Sequence, residues 1–94
     1  MKNFQIAGHL GATPELKTSG ETTFTHLRVC ANGKRSDWFN VTAFGKLAEA
    51  ITEHLAKGDG IAIHGEMRTK KYDGREYTEL IAQGADFFGK KKDT

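Results

Sequence analysis

Residues 37–58 have the sequence DWFNVTAFGKLAEAITEHLAKG, and the hydrophobic period changes in the middle of this stretch. Between Asp37 and Phe44, side chains of different character alternate, as they do in a β-strand, where neighbours point to opposite faces. Between residues 46 and 57 the apolar side chains recur on one face of a helix: Leu47, Ala48, Ile51 and Leu55. Gly58 follows at the position where a left-handed residue ends a helix. The stretch therefore predicts a strand followed by the one convincing helix of the chain.

Four further strands are predicted around this stretch, from period-two alternation or from β-branched and aromatic content. They cover residues 3–11, 22–31, 61–67 and 77–87. Asn32-Gly33 and Asp73-Gly74 predict tight turns, because both pairs tolerate positive φ. Residues 13–20, which contain Pro14 and Ser19-Gly20, are predicted to form a loop.

The predicted order of elements is β-β-β-α-β-β. Five short strands with one helix between the third and the fourth are typical of a five-stranded Greek-key barrel, so we expect an all-β protein with the OB-fold. Gly8 and Gly65 lie inside predicted strands, which suits the sharp bends of such a barrel. We expect residues 1–89 to form one domain and residues 90–94 to form a short basic tail.

The composition is that of one small soluble domain. The chain has 94 residues, 37% of them hydrophobic, and a net charge of +2, which does not by itself indicate a nucleic-acid partner. Cys30 is the only cysteine, which favours a reducing compartment. No apolar run resembles a secretion signal or approaches the ~20 residues of a membrane span. We therefore expect a cytoplasmic protein with no membrane partner.

The predicted strand at residues 37–44 carries the most informative side chains. Phe39, Val41 and Ala43 share one face, which we expect to be core. The other face has two large aromatic residues with small polar residues between them: Trp38, Asn40, Thr42 and Phe44. Such a face suits unpaired bases, because an aromatic plane stacks on any base. The alternative is that Trp38 or Phe44 packs under a loop or the helix.

Cations cluster at the predicted turns. The last hairpin carries four of them around one aromatic residue: Arg68, Lys70, Lys71, Tyr72 and Arg75. Lys34 and Arg35 follow the Asn32-Gly33 turn. Arg28 alternates with Leu27 and Val29, so we expect it on the exposed face of its strand. Such groups neutralise phosphates and release counterions, although a solvated hairpin tip also carries Lys and Arg.

No other group of residues in the sequence indicates a metal, cofactor or catalytic site. The four histidines share no short metal-ligand spacing with one another or with Cys30, so no metal is expected. No phosphate-binding loop, dinucleotide fingerprint or nucleophile elbow is present in the sequence. We expect no cofactor and no enzymatic activity.

Several ordered motifs make the chain similar to a known family, the bacterial-type single-stranded DNA-binding proteins. Residues 8–16, GHLGATPEL, resemble its G-x-L-G-x-x-P-E segment. Residues 37–49 resemble its W-x-x-V-x-x-F-G-K-x-A-E block. Residues 55–58, LAKG, and residues 63–69, IHGEMRT, resemble its L-x-K-G and G-x-L-R-T pieces. The resemblance covers about residues 2–88, nearly the whole chain.

The resemblance implies an OB-fold that binds single-stranded DNA as a homo-oligomer, a tetramer being favoured over a dimer. By position, Trp38, Phe44 and Tyr72 match the family's base-stacking aromatics. The loop after the second strand is shorter than in many members, so we expect a smaller site per subunit. Many members also continue into an acidic tip that recruits partner enzymes. This sequence ends in Lys-Lys-Lys-Asp-Thr, so we expect no such recruitment. The chain would then be either a shortened form of a longer protein or a plasmid, phage or accessory member of the family.

The leading hypothesis is sequence-independent binding and protection of single-stranded DNA in replication, recombination and repair. Bases would stack on the three aromatics, and the sugar-phosphate chain would contact polar and basic residues: Arg28, Lys34, Arg35, Asn40, Thr42, Arg68, Lys70, Lys71 and Arg75. An alternative is an OB-fold protein-interaction subunit of a replication-restart complex, because Trp and Phe also dominate protein interfaces. An RNA chaperone of the cold-shock kind shares this chemistry, so the preference for DNA rests on the family resemblance.

Overall fold

The computed structural model describes residues 2–31 and 37–88 of the chain. The predicted Asn32-Gly33 turn and the predicted basic tail at residues 90–94 lie outside these residues. The described elements, in chain order, are β1 (Asn3–Leu10), β2 (Lys17–Ser19), β3 (Thr22–Ala31), β4 (Asp37–Phe44), α1 (Gly45–His54), β5 (Gly60–Tyr72) and β6 (Arg75–Phe88).

Five of these strands close into a barrel. Neighbouring strands follow the order β1-β5-β6-β4-β3, and β1 also pairs with β3, which joins the two ends of the sheet. All pairs are antiparallel except β4 and β6, which run parallel through Val41–Leu80 and Thr42–Ile81. The helix α1 packs against β3, β4 and β6. This ring of five strands with one helix confirms the predicted OB-fold.

Two predicted boundaries are wrong. Residues 13–20 are not all loop, because β2 pairs with β3 through Lys17–Phe24, Thr18–Thr23 and Ser19–Thr22. The predicted helix over residues 46–57 ends at His54 instead. Its continuation is prevented because the next amides donate elsewhere: Ala56 N to Asp59 Oδ2, Lys57 N to Thr13 Oγ1 and Gly58 N to Leu10 O.

The last two strands are longer than their hydrophobic alternation predicted. The structure extends β5 to Tyr72 and begins β6 at Arg75, so the cationic segment belongs to a continuous two-stranded hairpin. The turn between them has positive φ at Asp73 (52°) and Gly74 (74°), which confirms the predicted tight turn.

The core lies inside the barrel and under α1. Its buried members come from β1, β3, β4, β5, β6, α1 and the residue after the helix: Leu10, Leu27, Val29, Val41, Ala43, Ala48, Ile51, Leu55, Ile61, Ile63 and Ala82. Gly8 and Gly65 let neighbouring strands approach, since a Cβ at either would overlap a carbonyl oxygen, of Cys30 or of Ile81 respectively.

Phe39 is not part of this core, although the alternation of β4 predicted it. Its side chain is 37% exposed, whereas Val41 and Ala43, which point to the same face of β4, are buried. The reason is that β6 pairs with β4 only at Val41 and Thr42, so the first half of β4 has no neighbour on that side among the described residues. Phe39 therefore lies where the inner face of the sheet opens to solvent.

None of the helices in the described part of the chain combines the length and the apolar character that crossing a membrane requires.

Candidate nucleic-acid interface

The outer face of β3 and β4 displays the predicted polar and aromatic side chains in register. On one side of these strands Thr25, Leu27, Val29, Val41 and Ala43 are buried, so the side chains of opposite alternation face outward. Four cross-strand pairs make up this face: Phe24–Phe44, His26–Thr42, Arg28–Asn40 and Cys30–Trp38. We call it the outer β3–β4 face. Trp38 and Phe44 mark its two ends, roughly 20 Å apart, because they are six residues apart along a strand that rises ~3.3 Å per residue.

Trp38 is held in place at one end of this face. The guanidinium carbon of Arg28 lies 4.7 Å from the centre of the indole. Gly11 lies against the six-membered ring, where any Cβ would overlap the indole. The side chain is still 43% exposed. The indole is therefore oriented by its neighbours and accessible to a further planar group.

Phe44 occupies the other end, beside two residues that sequence reasoning left out. It is 43% exposed, and its ring centre lies 6.3 Å from that of Phe24 at an interplanar angle of 44°. His26 meets Phe24 edge-to-face at 5.4 Å, and its Nδ1 lies 3.2 Å from Thr42 Oγ1. Phe24 and His26 follow the alternation of β3, but only the register of β3 against β4 places them next to Phe44.

The β5–β6 hairpin has two different faces. Directly paired residues share a face, and the pairs Arg68–Glu79, Lys70–Tyr77 and Tyr72–Arg75 lie on one side. Lys71 pairs with Glu76 on the other side. Tyr72 is 73% exposed near the tip. The hairpin thus groups three of the predicted cations with Tyr72 and separates Lys71 from them.

Two of these cations already have acidic neighbours. Arg68 Nε lies 3.5 Å from Glu66 Oε1, and Lys70 Nζ lies 3.4 Å from Glu79 Oε2. The four side chains are between 34% and 72% exposed, so both pairs contribute little to stability and exchange readily for a phosphate. Arg75 has no ion pair among the described residues.

One groove joins the hairpin to the outer β3–β4 face. It has a volume of about 410 Å³ and is lined by Ser19, Thr22, Phe24, His26, Thr42, Phe44, Lys70 and Glu79. Of the predicted site residues, Thr42, Phe44 and Lys70 meet here. Arg28 and Asn40 lie between this groove and Trp38, whereas Tyr72 and Arg75 lie at the hairpin tip. Lys34 and Arg35 lie outside the described residues.

The described residues contain no group of three or more His, Cys, Asp or Glu side chains arranged to hold a metal ion. The outer β3–β4 face can accept stacked rings and hydrogen bonds, and the hairpin can supply positive charge.

Comparison with known proteins gives a consistent result. A model of the single-strand binding protein family matches residues 1–88. Single-stranded DNA-binding protein 1 of Xylella fastidiosa is 30% identical, and the match covers 99% of this chain and 81% of that protein. Single-stranded DNA-binding protein 2 of Streptococcus agalactiae is 36% identical, and the match covers 83% of this chain and 66% of that protein.

A solved structure extends the similarity to three dimensions. The crystal structure of a deletion mutant of the single-stranded DNA binding protein from Thermus aquaticus superposes with a TM-score of 0.81 at 26% sequence identity. The match covers 99% of this chain but 43% of that one. The chain is thus similar to one part of a longer protein in that case, and it spans 63% of another relative from Xylella fastidiosa.

Proposed function

We propose that the chain, which belongs to the single-strand binding protein family, binds single-stranded DNA whatever its base sequence and catalyses no reaction. One observation carries this proposal: two aromatic side chains, each 43% exposed, stand at the ends of one outward face with polar residues between them. A stacked base gains roughly 1–3 kcal/mol on such a ring whatever its identity.

In this proposal, the strand runs along the outer β3–β4 face and reaches the hairpin. Bases stack on Trp38, Phe44 and Tyr72. Asn40 and Thr42 offer hydrogen bonds to the sugar-phosphate chain between the two rings on β4, and basic residues contact phosphates: Arg28, Arg68, Lys70 and Arg75. We give Lys71 a lesser role, because it lies opposite Glu76 on the other side of the hairpin. The phosphate role of Lys34 and Arg35 rests on the sequence alone, because both lie outside the described residues.

We further propose that the protein acts as a homo-oligomer in the cytoplasm, protecting single strands during replication, recombination and repair. An apolar groove of about 580 Å³ at the open end of the sheet supports self-association. Phe39 lies in it, and the groove borders the outer β3–β4 face at Trp38 and Asn40. The partly buried apolar neighbours of Phe39 come from three other strands: Phe4, Ile6, Met67 and Leu80. Covering this surface with a second copy removes it from water.

A fluorescence titration of Trp38 with oligo-dT tests the central claim. Because this is the only tryptophan, its quenching reports contact at the outer β3–β4 face directly. We expect quenching at low salt and weaker binding as salt rises. Trp38→Ala, followed by anisotropy of a labelled oligonucleotide, should weaken binding by about 1–3 kcal/mol. Phe87→Ala is the matched control, since Phe87 is 39% exposed but lies near the far end of β6.

An absence of quenching at low salt would remove the outer β3–β4 face from the site. Competition between DNA and RNA oligomers of the same sequence separates the proposal from an RNA-chaperone role. Tighter binding of RNA would contradict it.

A further inference from the structure

The groove that joins the hairpin to the outer β3–β4 face differs from the rest of the proposed DNA path. Its volume of about 410 Å³ falls within the range of small-ligand sites. Phe24 and Phe44 lie side by side on paired strands, and their rings are inclined by 44°, so neither lies flat on the other. A flat group entering the groove therefore meets aromatic surface.

The wall of the groove carries a carboxylate. Glu79 Oε2 lies 3.4 Å from Lys70 Nζ, whereas Oε1 has no hydrogen bond to any residue that the structure describes. A carboxylate only accepts hydrogen bonds. It therefore repels a phosphate and the carbonyl oxygens of thymine or uracil, which offer it only the single N3–H between two of those oxygens. It accepts more favourably from an exocyclic amino group, as glutamate does from N4 of cytosine.

Polar side chains complete the wall without reversing this preference. Ser19, Thr22 and Thr42 offer hydroxyl groups, which donate or accept according to the partner. The Thr42 hydroxyl already lies 3.2 Å from His26 Nδ1. Lys70, whose Nζ lies 3.4 Å from Glu79 Oε2, is 72% exposed, so a phosphate next to the bound base can approach it from solvent. Two groups in the groove thus have a fixed hydrogen-bonding sense, because the Glu79 carboxylate only accepts and the Lys70 ammonium only donates, and these two are paired through Oε2 of Glu79.

We propose that this groove takes one unpaired base, stacked against Phe24 and Phe44, and that Glu79 selects a base with an amino group on its pairing edge, cytosine over uracil or thymine. The inference rests on the proposed function and adds a local base preference to it. At the remaining stacking positions, the rings accept any base.

Oligo-dC and oligo-dU of twelve nucleotides test it, because the bases differ only at the pairing edge: cytosine has an amino group and an unprotonated N3 where uracil has a carbonyl oxygen and N3–H. Affinities are measured by anisotropy at pH 8, where cytosine is neutral. We expect the native chain to bind oligo-dC at least about threefold more tightly than oligo-dU, at the lower end of what one base contact discriminates. Glu79→Val should bring this ratio close to one.

Glu76→Val is the matched control. Glu76 lies on the same strand but on the other face of the hairpin, so its loss changes the net charge equally and leaves the groove intact. Its dC-to-dU ratio should equal that of the native chain. Comparing ratios between variants cancels the different stacking of the two free oligomers. Should Glu79→Val fold poorly, Glu79→Gln keeps the shape, and its neutral amide should lower the ratio in the same direction.

Two results would overturn the inference: equal affinity of the native chain for both oligomers, or a ratio that survives both substitutions of Glu79. Failure of both oligomers to bind would instead contradict the proposed function, so the two failures are distinguishable.

Discussion

Gly11 controls the position of the indole of Trp38. A Cβ at residue 11 would overlap the six-membered ring, and the ring, as a side chain, is what must move. We expect Gly11→Ala to displace the indole from Arg28 and to weaken binding of oligo-dT by about tenfold, the loss of one stacking contact of about 1.4 kcal/mol. The measurement is the same tryptophan titration, with the emission maximum of the free protein as a check on ring displacement.

Ala12→Ser is the control for this change, because it adds an atom at the next residue, which is exposed. It should leave both the emission maximum and the affinity unchanged. A Gly11→Ala variant with a shifted emission maximum but native affinity would mean that the orientation of the indole is unimportant for binding.

Thr25 offers a prediction about stability. Its side chain is fully buried, and its Oγ1 has no hydrogen-bond partner within residues 2–31 and 37–88. A buried hydroxyl without a partner costs about 1–3 kcal/mol. Thr25→Val keeps the branched shape that suits a strand, so we expect the free energy of unfolding in urea to rise by about 1 kcal/mol. Thr18→Val, on the exposed strand β2, should change it by less than about 0.5 kcal/mol. Destabilisation by Thr25→Val would mean that the hydroxyl has a partner in solution.

At the scale of elements, the two faces of the β5–β6 hairpin should behave differently in salt. Arg75 pairs with Tyr72 on the face that holds Lys70, whereas Lys71 pairs with Glu76 on the opposite face. Each phosphate contact contributes about 0.7 to the slope of log affinity against log salt for single strands. We expect Arg75→Ala to reduce the slope by about that amount and Lys71→Ala to leave it nearly unchanged. Equal effects of both substitutions would show that DNA contacts the tip from both sides.

Strands, helix and turns were predictable from the sequence where one local pattern of residues was strong. The Asp73-Gly74 turn followed from backbone preference, and the barrel order followed from the change of period within residues 37–58. The strand β2 was not predictable, because its three residues are all exposed and show no alternation of burial. Hydrogen bonds to β3 define it, and these depend on a register that no local pattern contains.

The candidate site was predictable to a similar extent. The alternation of β4 separated Trp38 and Phe44 from Val41 and Ala43, and the structure keeps that separation. Alternation assigns a face but not the point where a barrel ends, which is why Phe39 was placed in the core. Phe24 was overlooked because its closeness to Phe44 arises from the pairing of two strands, and the two residues are twenty positions apart in the sequence.

At the scale of the whole molecule, two adjoining surfaces differ in chemistry. The outer β3–β4 face and the hairpin carry rings, cations and neutral polar groups, whereas the open end of the sheet carries the apolar groove around Phe39. A net charge of +2 gives little long-range attraction to DNA. In the proposed homo-oligomer we therefore expect the linking of several sites to affect affinity for long strands more than net charge does.

Phe39→Glu tests whether the apolar groove joins copies of this chain. A carboxylate there must be desolvated on association, so we expect the variant to dissociate toward monomers in light scattering at concentrations where the native chain is oligomeric. Phe87→Glu is the control, because Phe87 has nearly the same exposure, 39% against 37%, outside this groove. The monomer should lose much more affinity for a strand that spans two sites than for a strand that fills one. Unchanged mass in Phe39→Glu would place the interface between subunits elsewhere, and a native chain that is itself monomeric would contradict the proposed assembly.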